Sequence, residues 1–358
     1  MLFPYEYVPH TMDKMQKFID FIFLEVWCKA STHGSYKLEL FGANEELYDV
    51  MEYCHFNDSK YADFFASHVE QIYGLFSQLD PTTLSQLQTW YRNNNNIERV
   101  CSNDPATSIA KYSCLCNLLS NSDLYKKLSR FFKELYNNKL LTLKIFKDTI
   151  GTIDDHYKVF RDQNKITKCP FCGINNMKGT HHRYRDAYDH YLPKGIYPFN
   201  SINFHNLVPT CHECNSSYKT QKDPCHNSLG RRKVFYPYNT QSYNIELTIN
   251  LKNRDWQNIQ PEDIDLIFGP AILNEEIAAW KEIYGIEERY KAKCCAEEDG
   301  KDWLVQLHDE WQSKGGNIKT FMDNLIINTQ RSPYTDNRFL KKPFLEACVR
   351  SGLFEITK

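Results

Sequence analysis

Residues 189–219 read DHYLPKGIYPFNSINFHNLVPTCHECNSSYK, and the reading of this stretch decides the architecture of the chain. It holds Asp189 directly before His190, an apolar Leu207-Val208-Pro209, and a Cys211-x-x-Cys214 pair followed at once by Asn215. A second knuckle, Cys169-Pro-Phe-Cys172-Gly, lies upstream. Each knuckle offers two thiolates at a spacing that suits tetrahedral zinc, and the two together make one four-cysteine site. A redox pair of the thioredoxin kind requires only one such knuckle, in a βαβ setting. Four thiolates close the coordination sphere and leave no position for a reacting water. This zinc is therefore expected to be structural.

The segment between the knuckles holds more than a zinc ribbon requires. Asp189 supplies a carboxylate and Asn215 a neutral carbonyl oxygen. With waters and phosphate oxygens they would complete an octahedral site for magnesium or manganese. His190, with an ordinary pKa of about 6.5, suits a general base near neutrality. Asn206 is the natural candidate to orient it. His190 follows Asp189, so on an extended strand the two side chains point to opposite faces, unless a bend or bulge intervenes. Cys211, Asn215 and Lys219 stand at i, i+4 and i+8, which would align them on one helical face. Lys194 and Lys219 are candidates for phosphate contacts, with solvated lysines an equal alternative. Arg183, Arg185, Arg231, Arg232 and Lys233 are candidates for nucleic-acid backbone contacts.

With these residues in view, the segment resembles the HNH, or ββα-metal, nuclease family. The family pattern is an Asp-His pair on a first short strand, then a loop. Asn-Leu-Val-Pro follows into a second strand, and then a helix opening on Cys-x-x-Cys-Asn-x-x-x-Lys. Here the corresponding pieces are DHYLPK, NLVP and CHECNSSYK, in that order. The resemblance covers about residues 169–222. It implies that Asp189 and Asn215 bind a catalytic Mg²⁺ or Mn²⁺, that His190 is the general base, and that Asn206 positions it. The third family position, often His, is Asn215 here, as in a variant common among zinc-stabilised members. The implied activity is phosphodiester hydrolysis, on DNA rather than RNA, leaving 5′-phosphate and 3′-hydroxyl ends. The setting is similar to bacterial restriction and anti-phage nucleases of the Septu type, which implies an ATPase or sensor protein of a defence system as partner. Two alternatives stay open: a zinc-stabilised nucleic-acid-binding or scaffold module without catalysis, and a mobile-element endonuclease.

The rest of the chain frames this segment. Net charge is −2 over 358 residues, yet residues 161–233 carry twelve Lys/Arg against five Asp/Glu. A basic island in an otherwise acidic chain points to a local polyanion site. Thirteen cysteines behind an N-terminus, MLFPYEYVPH, with no signal-peptide pattern suggest reduced thiols and a cytoplasmic protein. The run FIDFIFLEVW is too short to span a bilayer and carries Asp20 and Glu25. The expected fold is α+β: a mainly helical chain carrying a central zinc-stabilised ββα-metal module. Residues 1–150 read as a helical domain for scaffolding or partner binding, with apolar stripes at 61–76 and 124–136. Residues 151–236 hold the nuclease module. Residues 237–358 read as a strand at 243–251 followed by helices near 275–292, 302–313, 318–327 and 344–349. This last region is a second candidate for partner or DNA binding.

Overall fold

The stripe from Tyr61 to Phe76 forms a helix over Lys60–Phe76, buries Phe65, Val69, Ile72 and Phe76 on one face, and is capped by Ser59, whose hydroxyl accepts from Tyr61 N. A computed structural model of the chain describes residues 1–352 apart from 121, 137, 138, 254, 256, 257 and 316. The second stripe becomes the helix Asp123–Glu134, with Ser122 as its cap. It packs on Lys60–Phe76, which also packs on Glu45–Phe56. The caps satisfy N–H groups that the first helical turn leaves without partners.

Two stretches of turn-forming residues, Asp80-Pro81-Thr82-Thr83 and the asparagine run 93–96, belong to helices. Asp80 Oδ1 accepts from Thr82 N and Thr83 N, so Asp80-Pro81-Thr82-Thr83 opens the helix Pro81–Asn95. Pro81 fits there because a first-turn N–H has no intrahelical partner to lose. The asparagine run 93–96 ends that helix and caps the next, Ile97–Cys101, through Asn96. Asn94 tolerates the helix because its buried amide has partners: it donates to Ala110 O and Pro198 O, and its Oδ1 accepts from Ala110 N.

The described strands form three two-stranded antiparallel sheets. β1 (Ala187–His190) pairs with β2 (Leu207–Thr210), β3 (His226–Asn227) with β4 (Gly230–Arg231), and β5 (Glu246–Leu251) with β6 (Ile264–Gly269). The strand expected at 243–251 is β5; its partner β6 gave no clear alternation. The C-terminal helices are Asn274–Tyr284, Ile286–Cys295, Asp302–Ser313, Lys319–Arg331 and Arg338–Arg350. The single helix expected near 275–292 is thus two, broken at Gly285 with φ +59°.

Two hydrophobic cores result. One joins the helices between residues 12 and 157 with Tyr188, Phe199, Ile202, Phe204 and Leu207. The other joins the four knuckle cysteines, Phe171, Tyr191 and Val208 with the C-terminal helices and residues 1–8. The β1–β2 ribbon lies between them, sending alternate side chains into each. The architecture is α+β. No helix among the described residues is long and apolar enough to cross a membrane.

Candidate metal centre and adjoining Asp-His site

Cys169, Cys172, Cys211 and Cys214 are buried, and their sulfurs all lie within 4.8 Å of one another. The first knuckle is a tight hairpin, with Gly173 N donating to Cys169 O at 2.7 Å and Cys169 N to Asn175 O at 2.9 Å. The second follows directly on β2 and leads into a helical segment, Glu213–Lys219. Two elements distant in sequence thereby bring four soft donors to one point. A tetrahedral zinc at 2.3 Å from each sulfur would need them ~3.8 Å apart.

Several N–H groups point at the sulfurs. Asn175 N donates to Cys172 Sγ at 3.5 Å, Asn175 Nδ2 to Cys211 Sγ at 3.4 Å, and Cys214 N to Cys211 Sγ at 3.5 Å. Arg289, from the helix Ile286–Cys295, donates through Nη1 to Cys214 Sγ at 3.2 Å and pairs with Glu213 at 2.8 Å. Hydrogen bonds from Cys169, Cys211 and Cys214, with the Arg289 charge adding, hold the Cys172 thiol well below its ordinary pKa. Zinc with four thiolates carries a net charge of −2, which a buried guanidinium partly offsets. The donor set, its burial and these N–H···S contacts fit a structural metal.

Asp189 and His190 sit at the end of β1, in unbroken register opposite Val208 and Leu207. No bulge turns one toward the other, so their side chains lie on opposite faces of the strand. Asp189 is 4% exposed. Its Oδ1 accepts from Lys219 Nζ at 2.9 Å, while its Oδ2 is buried with no partner. Burial pushes the carboxyl up, and the Lys219 charge pulls it back in part.

Lys219 is fully buried. Its ammonium donates also to His190 O at 2.8 Å. It is therefore the internal counter-ion of Asp189, not a surface contact for phosphate or water. The segment Glu213–Lys219 winds wider than an α-helix, with Thr220 N donating to Asn215 O, five residues back, at 2.9 Å. That winding changes which residues share a face, and the alignment expected for Cys211, Asn215 and Lys219 assumed 3.6 residues per turn. Asn215, half-buried, directly follows Cys214 in this segment.

His190 donates through Nε2–H to Ser201 O at 2.8 Å. A carbonyl can only accept, so in the neutral ring the lone pair is on Nδ1. Burial pushes the ring down to about 3, with the Lys194 charge adding. The Tyr136 ring meets it edge-on, with centroids 4.7 Å apart. Asn206 does not touch the ring. Its Oδ1 accepts from Leu192 N at 2.7 Å and its Nδ2 donates to Leu192 O at 3.0 Å. It closes the 191–206 loop, and that loop presents the Ser201 carbonyl to the imidazole. The orienting effect expected of Asn206 is thus indirect. Ser201 acts through its main chain, for which a sequence carries no residue-type signal.

The other basic candidates divide. Arg231 donates to the carbonyls of Arg99, Val100, Asp104 and Thr107, and Arg232 to Pro224 O and Glu282. Both guanidinium groups tie protein segments together, so neither is free for a phosphate. Arg185 pairs with Asp154 at 2.6 Å. Lys194 is half-buried, with its ammonium 5.7 Å from the Tyr136 ring centre. Arg183 is exposed beside Tyr184. Arg161, Lys219 and Arg232 of the basic island are buried, so its charge count overstates the surface potential.

No protein-family model matches this chain, and no match was found among curated proteins or solved structures.

Proposed function

We propose that the chain is a metal-dependent endonuclease of the HNH kind, hydrolysing phosphodiester bonds in nucleic acid, DNA before RNA. The observation that carries this reading is the pairing at the end of β1. A buried carboxylate with one unpartnered oxygen adjoins a neutral imidazole whose Nδ1 is left to accept a proton. An orphaned buried carboxylate oxygen is a costly feature unless a cation or a donor meets it. Asp189 Oδ2 and the Asn215 amide oxygen are hard donors that fit magnesium or manganese. Bound there, the ion would supply charge stabilisation at the scissile phosphate.

In this reading His190 takes the proton of the attacking water at Nδ1, and Ser201 O holds the ring in the tautomer that permits it. Lys219, as the internal counter-ion, keeps Asp189 in place. Because Asp189 and His190 lie on opposite faces of β1, the reading requires a substrate that spans the strand end and meets both. An effector role beside an ATPase or sensor partner rests on the motif resemblance alone.

The Lys219–Asp189 pair also favours a second reading, a zinc-stabilised binding or scaffold module. Its ammonium already supplies the charge that a metal would bring. Incubating the purified chain with supercoiled plasmid and Mg²⁺ or Mn²⁺ separates the two. Nicking or linearisation that His190→Ala abolishes, with zinc content unchanged, is expected. Intact plasmid under every divalent ion, or a fully active His190→Ala, would remove the nuclease reading.

A further inference from the structure

A cleft of about 500 Å³ opens beside the start of β1, lined among others by Asp154, Lys158, His182, Arg183, Tyr184 and Arg185. Three of these residues are cations; Arg185 is already paired with Asp154 at 2.6 Å, and Lys158 faces Asp155 at 3.7 Å. Tyr184 is 67% exposed. The Arg183 guanidinium lies 5.4 Å from its ring centre.

The loop that presents these groups is built by internal hydrogen bonds. Asp186 Oδ2 accepts from Lys178 N at 2.6 Å and from Tyr157 Oη at 3.0 Å. The His182 ring accepts from Gly179 N through Nδ1 at 3.0 Å, and His182 N donates to Gly179 O at 3.0 Å. A loop pinned at both ends loses little freedom on binding. The cleft lies at the start of the strand whose other end carries the Asp-His site. Ala187 lines it and opens β1. Arg185, on its wall, lies 5.7 Å from the centre of the Tyr188 ring, on the strand face that His190 shares.

We infer that this cleft binds a single nucleic-acid strand, with an unpaired base stacked on Tyr184 and a flanking phosphate met by Arg183. A π-face exposed among cations is the recognition chemistry of unpaired nucleotides, because a duplex keeps its base faces covered. The proposal deepens the nuclease reading and rests on it for the claim that the bound strand is the substrate. It implies action on single strands or on junctions between paired and unpaired segments.

The test is fluorescence anisotropy with the full chain, without added divalent ion, on a short labelled oligodeoxythymidylate and on the same strand annealed to its complement. Tyr184→Ala is expected to weaken single-strand binding roughly tenfold, while Tyr184→Phe keeps it, since the stacking of one base is at stake. Duplex binding should be weaker and indifferent to both changes. Single-strand affinity unaltered in Tyr184→Ala, or an equal loss on duplex, would overturn the inference. Tyr184 is exposed, so the variant should fold, and retained zinc checks that it has. Cleavage of the single strand, of the duplex and of plasmid, with Mg²⁺ or Mn²⁺ added, is scored separately. Tyr184-dependent binding by a chain that cleaves nothing would discard the nuclease reading and leave the binding cleft standing.

Discussion

An ammonium and a carboxylate sealed from water support each other only while both are present. Removing one partner of such a pair costs about 3–5 kcal/mol, because the remaining charge is left uncompensated. Lys219, fully buried and 2.9 Å from Asp189 Oδ1, is in that position. Lys219→Met should therefore lower unfolding stability by roughly that amount in urea titration, and Asp189→Asn added to it should restore much of the loss. A single variant as stable as the parent, or a double variant no better than the single, would show that the pair does not hold the site. The same residue marks a limit of sequence reading. The i, i+4, i+8 spacing supplied a face only on the premise of ordinary helical winding, and the wide turn after Asn215 breaks that premise. Arg231 and Arg232 looked like phosphate contacts because a basic run reports charge and not the carbonyls that consume it. The four cysteines were legible because the ligand spacing of a knuckle is local geometry.

At the scale of elements, the four-cysteine cluster is buttressed by a helix that no motif advertises. Ile286–Cys295 starts at Gly285, where a Cβ would sit 2.3 Å from the Tyr218 ring. The absent side chain lets the helix start close against the segment that carries Cys214 and Asn215. Arg289, one turn on, then reaches Cys214 Sγ, with its guanidinium 4.6 Å from the Tyr218 ring centre. In the sequence, Arg289 sits in a run of charges, Glu287-Glu288-Arg289, that reads as a solvated face. Apolar periodicity reports which residues can be buried, and it does not report a charge buried because a metal cluster needs it. Arg289→Met, close in length but without the charge or the N–H donor, should weaken zinc retention by about 10–100-fold, as changes beside metal ligands do. Zinc loss to a chromogenic chelator measures this. Loss at the parent rate would mean that the guanidinium only packs.

At the scale of the molecule, the β1–β2 ribbon is held from both sides, and the helical side reaches the Asp-His site through main-chain contacts. Asn94 anchors Pro198, Asn203 donates to Asn95 O, and the loop so held presents Ser201 O to His190. That side of the ribbon also buries His156, which is 2% exposed, is hydrogen-bonded through Nδ1 to Tyr188 Oη, and lies edge-on to His10. Burial pushes His156 down to about 3, and the His10 charge adds to this. His10 and His205 are lowered too, in each case first by burial. The direction fixes the pH dependence. A ring titrating near 6.5 when unfolded and near 3 when folded binds fewer protons in the folded state throughout that window. Its stabilising effect is complete above about pH 6.5 and is lost as pH falls toward 3, reaching about 2 kcal/mol for His156 alone at pH 5. Urea unfolding should therefore be flat from pH 7 to 8 and weaken steadily below 6.5. Acid also protonates the zinc thiolates, so the slope of the parent mixes two causes. His156→Gln isolates one part of it, because it removes one titrating ring and leaves the four cysteines in place. Its unfolding free energy should fall by about 2 kcal/mol less than the parent's between pH 7 and pH 5. Parallel pH profiles for parent and variant would take the acid sensitivity away from His156.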